Sequence, residues 1–329
     1  MLGRGVARAL ASLPPAALFA PEVVEAAHEA DLFVLNLECC ISARGTPWPD
    51  PGKPFFFRAP PVAVEVLALL GVDCVTLANN HALDFGGDAL LDTLEHLGAA
   101  GISCVGAGAN VAQAQAPAVL ERDGFRLGVI GLTDHPEECA ATVDRPGVAY
   151  ADLDRGLPRW LREALRTVEA DAVLISPHWG PNMVAEPLRR IRQAAGELIE
   201  AGATLTAGHS AHVFHGVERR VIYDLGDFID DYAIDPILRN DLGLLFLVTL
   251  EQRGAVRLEA LPLKLDFCYT RVADGDDAAW IRRRFRDACA RLGSAVHEEA
   301  GRLVVTWEPE EHVGVSATGR RTESAGTAG

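Results

Sequence analysis

The sequence has few positive charges and no long apolar run. Its 329 residues include 30 Lys plus Arg against 46 Asp plus Glu, which gives a formal net charge of -16 and a pI near 5.0. No window approaches the ~18 consecutive apolar residues that a membrane helix needs. An acidic surface repels nucleic acid and anionic membranes, so we expect no nucleic-acid partner. An anionic substrate is still allowed, because bound cations can reverse the local field inside a pocket.

Cysteine pairs are also absent. The seven cysteines show no Cys-x-x-Cys spacing, and Cys39 and Cys40 are adjacent, which is a poor geometry for a bridge. We predict that all seven are reduced and mostly buried, in a cytoplasmic-type environment. Hydrophobic residues make up 49% of the chain, enough for a sizeable core.

Apolar runs of strand length alternate with helical patterns over most of the chain. This alternation predicts an α/β protein with a largely parallel central sheet. The predicted strands are Asp31 to Leu37, Cys74 to Leu77, Ser103 to Val105, Ala172 to Ser176 and a run at Leu205. The predicted helices are Pro61 to Leu70, Gly87 to Leu97 with Gly98 as its stop, Leu157 to Val168, Glu186 to Ala201 and Asp277 to Leu292.

Two further segments read as strand pairs. Val119 to Leu132 is predicted to form a hairpin that turns at Asp123-Gly124. Leu244 to Glu251 and Val256 to Leu265, with Arg253-Gly254 as the turn, predict an antiparallel addition to the sheet.

Polar side chains follow four of the predicted strands. The four strand ends read Asn36-Leu37-Glu38, Ala78-Asn79-Asn80-His81, Ser176-Pro177-His178-Trp179-Gly180 and Gly208-His209-Ser210-Ala211-His212. Ligands of open α/β sheets bind outside the carboxyl ends of the strands, so we expect these loops to converge. Carboxylate, carboxamide and imidazole ligands suit Zn, Mn or Fe. Two such ions ~3.5–4 Å apart, bridged by Glu38, would activate water and clamp an oxyanion.

Each of these residues also has an ordinary structural interpretation. Glu38 alone would be a solvated turn residue, and Asn79 and Asn80 could be turn formers. His178, between Pro and Trp, could be a packed and hydrogen-bonded histidine. The same kind of polar cluster at four strand ends favours the functional interpretation, since core packing does not produce it. His135, outside these clusters, is given no role.

The order of the motifs resembles a known family. The matching segments are Asn-Leu-Glu at 36–38, Phe-Arg-Ala-Pro-Pro at 57–61, Leu-Ala-Asn-Asn-His-Ala-Leu-Asp-Phe-Gly at 77–86, His-Trp-Gly at 178–180, Gly-His-Ser-Ala-His-Val at 208–213 and Tyr-Asp-Leu-Gly-Asp-Phe at 223–228. In this order they resemble the bacterial capsule-synthesis family named for poly-gamma-glutamate synthesis (the CapA type), over roughly Met1 to Phe228. That family is similar in fold to the calcineurin-like metallophosphatases, a sandwich of two mainly β sheets flanked by helices.

The resemblance implies a set of residue roles. Glu38 would be the bridging acid, Asn80 a metal ligand and His81 the proton donor to a leaving group. His178 and His209 would bind one divalent metal, and His212 would complete the other. The residues implied for the pocket wall or for support of the ligands are Asn36, Arg58, Asn79, Trp179, His215, Tyr223 and Asp227. Asp227 stands where the family usually carries Asn.

The beginning of the chain departs from the family pattern. Family members open with a strand that ends Gly-Asp-Val-Met-Leu-Gly-Arg-Gly, whose Asp is a metal ligand, whereas this chain begins Met1-Leu2-Gly3-Arg4-Gly5. We expect that the start is placed too late and that the first strand and its Asp are missing; the alternative is a degenerate first metal site. As written, the chain should bind metal weakly and fold less stably than an extended one.

The resulting expectations for domains and function are as follows. Residues 1–270 form the metallophosphatase-like domain, 271–313 a helix and strand extension, and 314–329 a disordered tail. We expect a cytoplasmic protein as written, with membrane or cell-envelope association only through a segment preceding Met1. The expected function is metal-dependent hydrolysis of a phosphoester or amide in capsule-polymer synthesis, with an acidic polymer or a small anion as partner. The alternatives are a non-catalytic polymer-binding or assembly partner with a degenerate metal site, and a pocket for a small sugar.

Overall fold

The computed structural model describes residues 1–49, 52–251 and 254–307. Arg253 of the expected turn and the expected tail at 314–329 lie outside these residues. The helices are α1 Arg4–Leu10, α2 Pro21–Ala27, α3 Val64–Leu69, α4 Gly86–Ala99, α5 Val111–Ala114, α6 Arg159–Thr167, α7 Arg189–Glu200 and α8 Gly275–Arg291. Short 3-10 helices cover Pro15–Leu18, Pro61–Ala63, Glu137–Cys139 and Leu153–Arg155.

The strands outnumber the helices, and several are only two residues long. They are β1 Val34–Asn36, β2 Cys40–Ile41, β3 Arg58–Ala59, β4 Cys74–Thr76, β5 Ser103–Val105, β6 Ala107–Gly108, β7 Ala118–Arg122, β8 Phe125–Thr133, β9 Gly147–Val148, β10 Ala172–His178, β11 Leu205–Ala207, β12 Val217–Glu218, β13 Val221–Ile222, β14 Leu242–Glu251, β15 Gly254–Asp266, β16 Tyr269–Val272, β17 His297–Glu299 and β18 Arg302–Thr306.

A three-stranded parallel sheet has the order β1-β4-β5. Its middle strand β4 is fully buried, as its continuous apolar sequence predicts. The expectation that Asp31 to Leu37 is a strand buried on both faces is wrong: β1 covers Val34–Asn36 and is half-buried. The reason is its position, because β1 is the outer strand of its sheet.

A six-stranded sheet has the order β12-β13-β11-β10-β8-β7. Its four central strands are parallel to one another. β7 pairs antiparallel with β8 through Asp123 and Gly124, whose φ angles of 52° and 80° are those of a hairpin turn. The largely parallel sheet and the predicted hairpin are therefore confirmed.

The third sheet is antiparallel, with the order β14-β15-β18-β17 and β16 attached to β15. This confirms the predicted antiparallel addition. β18 pairs with β15, so residues of the predicted extension continue the sheet of the preceding segment. The proposed boundary at residue 270 stays a prediction.

The cores lie between these sheets and their flanking helices. One face of the six-stranded sheet packs on α6 and α7 through Leu161, Ile175 and Leu198. The opposite face shares a core with the antiparallel sheet and α8, through Val129, Leu258 and Phe285. The predicted fold class, an α/β sandwich of sheets flanked by helices, is confirmed.

Two expectations from composition can also be compared with the fold. All seven cysteines are free; six are buried and Cys104 is half-buried, which confirms the reduced state that was predicted. Among residues 1–49, 52–251 and 254–307, no helix is long and apolar enough to cross a membrane.

Candidate metal centre

The ends of β1 and β4 hold Glu38 in place through carboxamides. Asn79 Nδ2 donates to Asn36 Oδ1 at 2.9 Å and to the Leu37 carbonyl at 3.0 Å. Asn36 Nδ2 in turn donates to Glu38 Oε2, at 3.3 Å. Because β1 and β4 are parallel neighbours, their carboxyl ends meet, and the amide side chains fix the orientation of the carboxylate.

The ends of β10 and β11 add two histidines to Glu38. β10 runs to His178, past the predicted end at Ser176, so this histidine belongs to the strand itself. His178 Nδ1 lies 2.9 Å from His209 Nδ1, and His178 Nε2 lies 4.0 Å from Glu38 Oε1. Ser176 Oγ lies 3.2 Å from His209 Nε2. Glu38, His178 and His209 thus converge from three strands.

Burial keeps both of these imidazoles neutral. It lowers the pKa of His178 well below its usual value, and the neighbouring His209 and His135 lower it further. Burial, with the charge of His212, lowers the pKa of His209 to about 3. A neutral imidazole offers a lone pair, which is the form that binds a metal.

The pKa of His212 is raised, whereas those of His178 and His209 are lowered. Its backbone takes a positive φ of 59°, and its Nδ1 lies 2.8 Å from Asp227 Oδ1. Burial alone would lower the pKa of His212, but the carboxylates of Asp227 and Glu38 raise it to about 10. A metal bound by His212 must therefore displace a proton.

Two buried oxygens of the candidate ligands lack partners. Glu38 Oε1 and Asn80 Oδ1 make no hydrogen bond within the residues that the structure describes. A buried polar atom left unpaired costs about 1–3 kcal/mol, so such atoms call for a ligand. Their chemistry fits a hard or borderline divalent cation.

The residue types suit a metal site, but the positions of their side chains do not complete one. No three His, Cys, Asp or Glu side chains in the described part of the chain stand ready to hold one ion. The donor set therefore fits a divalent metal, while binding requires the side chains to draw closer together.

His81 lies beside this centre with its own acidic partner. Its Nδ1 is 2.7 Å from Asp84 Oδ2, its backbone N–H donates to Asn79 Oδ1, and its ring packs edge-on against Phe57. Asp84 is fully buried and also lies 2.8 Å from Lys53 Nζ. With Nδ1 engaged by a carboxylate, Nε2 is the nitrogen that His81 can offer to a reacting group.

The side chains of Trp179, His215 and Arg58 contact groups other than Glu38, His178 and His209. Trp179 Nε1 donates to the Tyr223 carbonyl, and both side chains pack in the core beneath α7. His215 Nε2 lies 2.9 Å from the Val184 carbonyl. Arg58 stacks on Phe85 at the surface.

Sequence reasoning missed three residues of the centre. His135, given no role, has its ring 5.0 Å from that of His178; it follows β8, a fifth strand end that the same rule could have found. Asp84 is three residues after His81, a spacing that could have signalled a pair. Asp224 accepts from the N–H groups of Ala211 and Gly226 and so shapes the histidine loop, which carries His209 and His212. The contact with Gly226 is local, but no sequence pattern predicts the contact with Ala211, which is 13 residues away.

Comparison with known proteins places the chain in a family. The model of a family described as bacterial capsule synthesis protein PGA_cap matches residues 1–232. The chain belongs to this family. The match ends within the segment that follows the histidine loop, so it includes every candidate ligand of the centre.

Curated proteins are similar to this chain over different lengths. A probable polyglutamine synthesis accessory protein of Mycobacterium tuberculosis is 32% identical over 286 residues, 81% of this chain and 74% of that protein. The PGA biosynthesis protein CapA of Bacillus subtilis is 30% identical over 209 residues, 62% of this chain and 53% of that protein. The chain thus spans about half the length of the Bacillus relative.

Among solved structures, a hypothetical protein from Thermus thermophilus aligns with this chain at 17% sequence identity and a TM-score of 0.42. The alignment covers 78% of this chain and 93% of the Thermus chain.

Proposed function

We propose that this family member is a metal-dependent hydrolase acting in the synthesis of a capsule polymer such as poly-gamma-glutamate. The observation that carries the proposal is the convergence of Glu38, His178 and His209, with buried, unpartnered oxygens on Glu38 and Asn80. One relative is named for polyglutamine synthesis and another for PGA biosynthesis, and these names favour a polymer of amino acids.

The proposed ligands are Glu38, Asn80, His178, His209 and His212. A divalent ion held there supplies Lewis acidity and a nucleophile at neutral pH. The protein itself orients these ligands and sets their protonation states. Asn36 and Asn79 fix the orientation of the Glu38 carboxylate. Burial keeps His178 and His209 unprotonated. The scissile bond is a phosphoester or a gamma-glutamyl amide in an anionic substrate.

His81 is the proposed proton donor to the leaving group. Asp84 holds its Nδ1, which leaves Nε2 for transfer. General acid catalysis of this kind contributes about 10²–10⁴-fold, and more when the leaving group is a poor one.

The test is hydrolysis of matched substrates by the manganese- or zinc-loaded protein. The panel is p-nitrophenyl phosphate, an alkyl phosphate, gamma-glutamyl-p-nitroanilide and poly-gamma-glutamate. His81→Gln should lower kcat about 10²-fold or more on the alkyl phosphate or the polymer, and much less on the activated p-nitrophenyl substrate of the same bond type.

The control is His96→Gln, an imidazole on helix α4 outside the centre. This variant should match the parent protein on every substrate. If His81→Gln lowers kcat equally on all substrates, His81 is not the proton donor. If the metal-loaded parent protein turns over none of the substrates, the protein is not a hydrolase of these bond types.

The second candidate function is a non-catalytic partner that holds an acidic polymer during assembly. What favours it is that no three His, Cys, Asp or Glu side chains in the described residues are already arranged around one ion. Such a partner would bind poly-gamma-glutamate in the same panel without cleaving it.

A further inference from the structure

Lysine is rare in this chain, and one of the two lysines lies beside the candidate centre. Among the 30 Lys plus Arg, lysine occurs at Lys53 and Lys264 alone. The Lys53 side chain is 15% exposed, and its Nζ lies 2.8 Å from Oδ1 of the fully buried Asp84. The same Nζ donates to the main-chain carbonyl of Asn80 at 2.6 Å. An ammonium group carries three donors on one atom, so a single lysine can make both contacts.

The carbonyl that Lys53 contacts belongs to the peptide group between Asn80 and His81. The N–H of that peptide group, on His81, donates to Asn79 Oδ1 at 3.0 Å. Because a peptide group is planar, contacts at its carbonyl and at its N–H fix the orientation of the whole plane. That orientation is coupled to ψ of Asn80 and φ of His81, and therefore to the directions in which both side chains leave the backbone.

The segment that carries Lys53 is itself fastened to Asp84. On one side of the lysine, the Trp48 N–H donates to the Asp84 carbonyl at 2.8 Å. On the other side, the Phe57 N–H donates to Asp84 Oδ2 at 2.6 Å. The Lys53 side chain therefore reaches Asn80 from a segment that is held on both sides of it.

We propose that Lys53 is a positioning residue, which fixes the peptide group between Asn80 and His81 and so aims the Asn80 carboxamide at the divalent ion. Asn80 Oδ1 is buried without a hydrogen bond among the described residues, so its direction depends on the backbone that carries it. A cation that bound the substrate directly would face solvent, whereas both contacts of Lys53 are internal. The proposal rests on the part of the proposed function that makes Asn80 a metal ligand.

A lysine beside a buried carboxylate can also be a counter-ion and nothing more. Asp84→Asn separates the two roles, because it removes the ion pair and keeps the hydrogen bond to Asn80, whereas Lys53→Met removes both. The double variant Lys53→Met/Asp84→Asn loses one charge of each sign, so it keeps the net charge of the parent and leaves no buried carboxylate without its cation. It isolates the contact with Asn80, and it also serves if Lys53→Met alone does not fold.

The test is the affinity of the full chain for Mn and for Zn, measured by competition with a fluorescent chelator. Lys53→Met and the double variant should bind the ion about 10–100-fold more weakly than the parent, which is the loss typical of a group that orients a metal ligand. Asp84→Asn should bind the ion nearly as tightly as the parent, because the contact with Asn80 is intact.

Lys264→Met is the matched control. The Lys264 side chain is 12% exposed and forms ion pairs with Asp241 and Asp277, neither of which is a candidate ligand. This variant also loses an ion pair of a largely buried lysine, so it should be destabilised in the same way. Its metal affinity should nevertheless equal that of the parent.

A second measurement needs no metal. In the metal-free protein, exchange of the His81 amide hydrogen, followed by nuclear magnetic resonance, should be about tenfold faster in Lys53→Met than in Lys264→Met. The reason is that the peptide group of this amide loses the contact at its carbonyl in Lys53→Met and keeps it in Lys264→Met.

Three results would overturn the positioning role and leave the proposed function intact. They are metal affinity at the parent level in Lys53→Met and the double variant, equal loss of affinity in Asp84→Asn and Lys53→Met, and equal exchange of the His81 amide in the two lysine variants. A parent protein that binds neither ion would instead overturn the proposed function, and the role of Lys53 toward the ion with it.

Discussion

At the scale of single residues, the centre depends on burial and on neighbouring polar groups. His178 and His209 are neutral because they are buried beside other imidazoles, whereas His212 is protonated because two carboxylates outweigh its burial. The sequence could predict that these residues meet, since each follows a strand. It could not predict their opposite charge states, because the carboxylate that decides the matter, Asp227, is 15 residues from His212.

One prediction at this scale concerns Asp84 as a positioning residue. Asp84→Asn should lower kcat on substrates with poor leaving groups in the same pattern as His81→Gln, because the imidazole loses its carboxylate partner. Steady-state kinetics of both single variants and the double variant measure this, and the double variant should be little worse than either single one.

Lys53→Met is the matched control, because it removes the other ion-pair partner of Asp84 and leaves the His81 contact in place. Its activity loss should not depend on the leaving group. Additive losses in the double variant would mean that Asp84 does not act through His81.

At the scale of secondary structure, apolar patterns located most elements, and boundaries were decided by backbone conformation. Gly98 was expected to stop α4, but the helix continues through it to Ala99. Its actual end is set by Gly101, whose φ of 75° a side chain would strain. Local sequence offers two nearby glycines and does not distinguish between them. β1 was predicted too long because its residues are apolar, although only three of them pair with β4.

A matched pair of glycines tests this account of the backbone. Gly98 is inside a helix and Gly124 is in a hairpin turn at φ 80°, and an added methyl group meets no atom within 4 Å at either site. Gly98→Ala should raise the free energy of unfolding by about 0.5–1 kcal/mol. Gly124→Ala should lower the free energy of unfolding by about 1 kcal/mol, because the left-handed backbone of residue 124 is strained when the residue carries a side chain. The helical backbone of residue 98 is not strained in this way.

Urea unfolding followed by circular dichroism measures both changes. Since neither methyl group has contacts, packing cannot account for a difference between them. A loss of stability in Gly98→Ala would contradict the assignment of residue 98 to the interior of α4.

At the scale of the whole molecule, the alternation of strands and helices predicted a largely parallel sheet, and the apolar runs Leu244 to Glu251 and Val256 to Leu265 predicted the antiparallel addition. The relation between sheets was beyond such reasoning. β1 and β14 are separated by more than 200 residues in sequence, yet residues of both line a cavity that Glu38 also lines. The ligands of the candidate centre therefore come from strand ends that no local sequence pattern connects.

The central claim is that Glu38, Asn80, His178, His209 and His212 bind divalent metal. The most direct measurement is elemental analysis of protein purified without chelator and dialysed against trace Mn and Zn, for the parent, His209→Ala and the control His96→Gln. The account predicts about two ions per chain in the parent and the control, and loss of at least one in His209→Ala with its circular dichroism unchanged. A parent without metal, or a His209→Ala variant with the full complement, would contradict it.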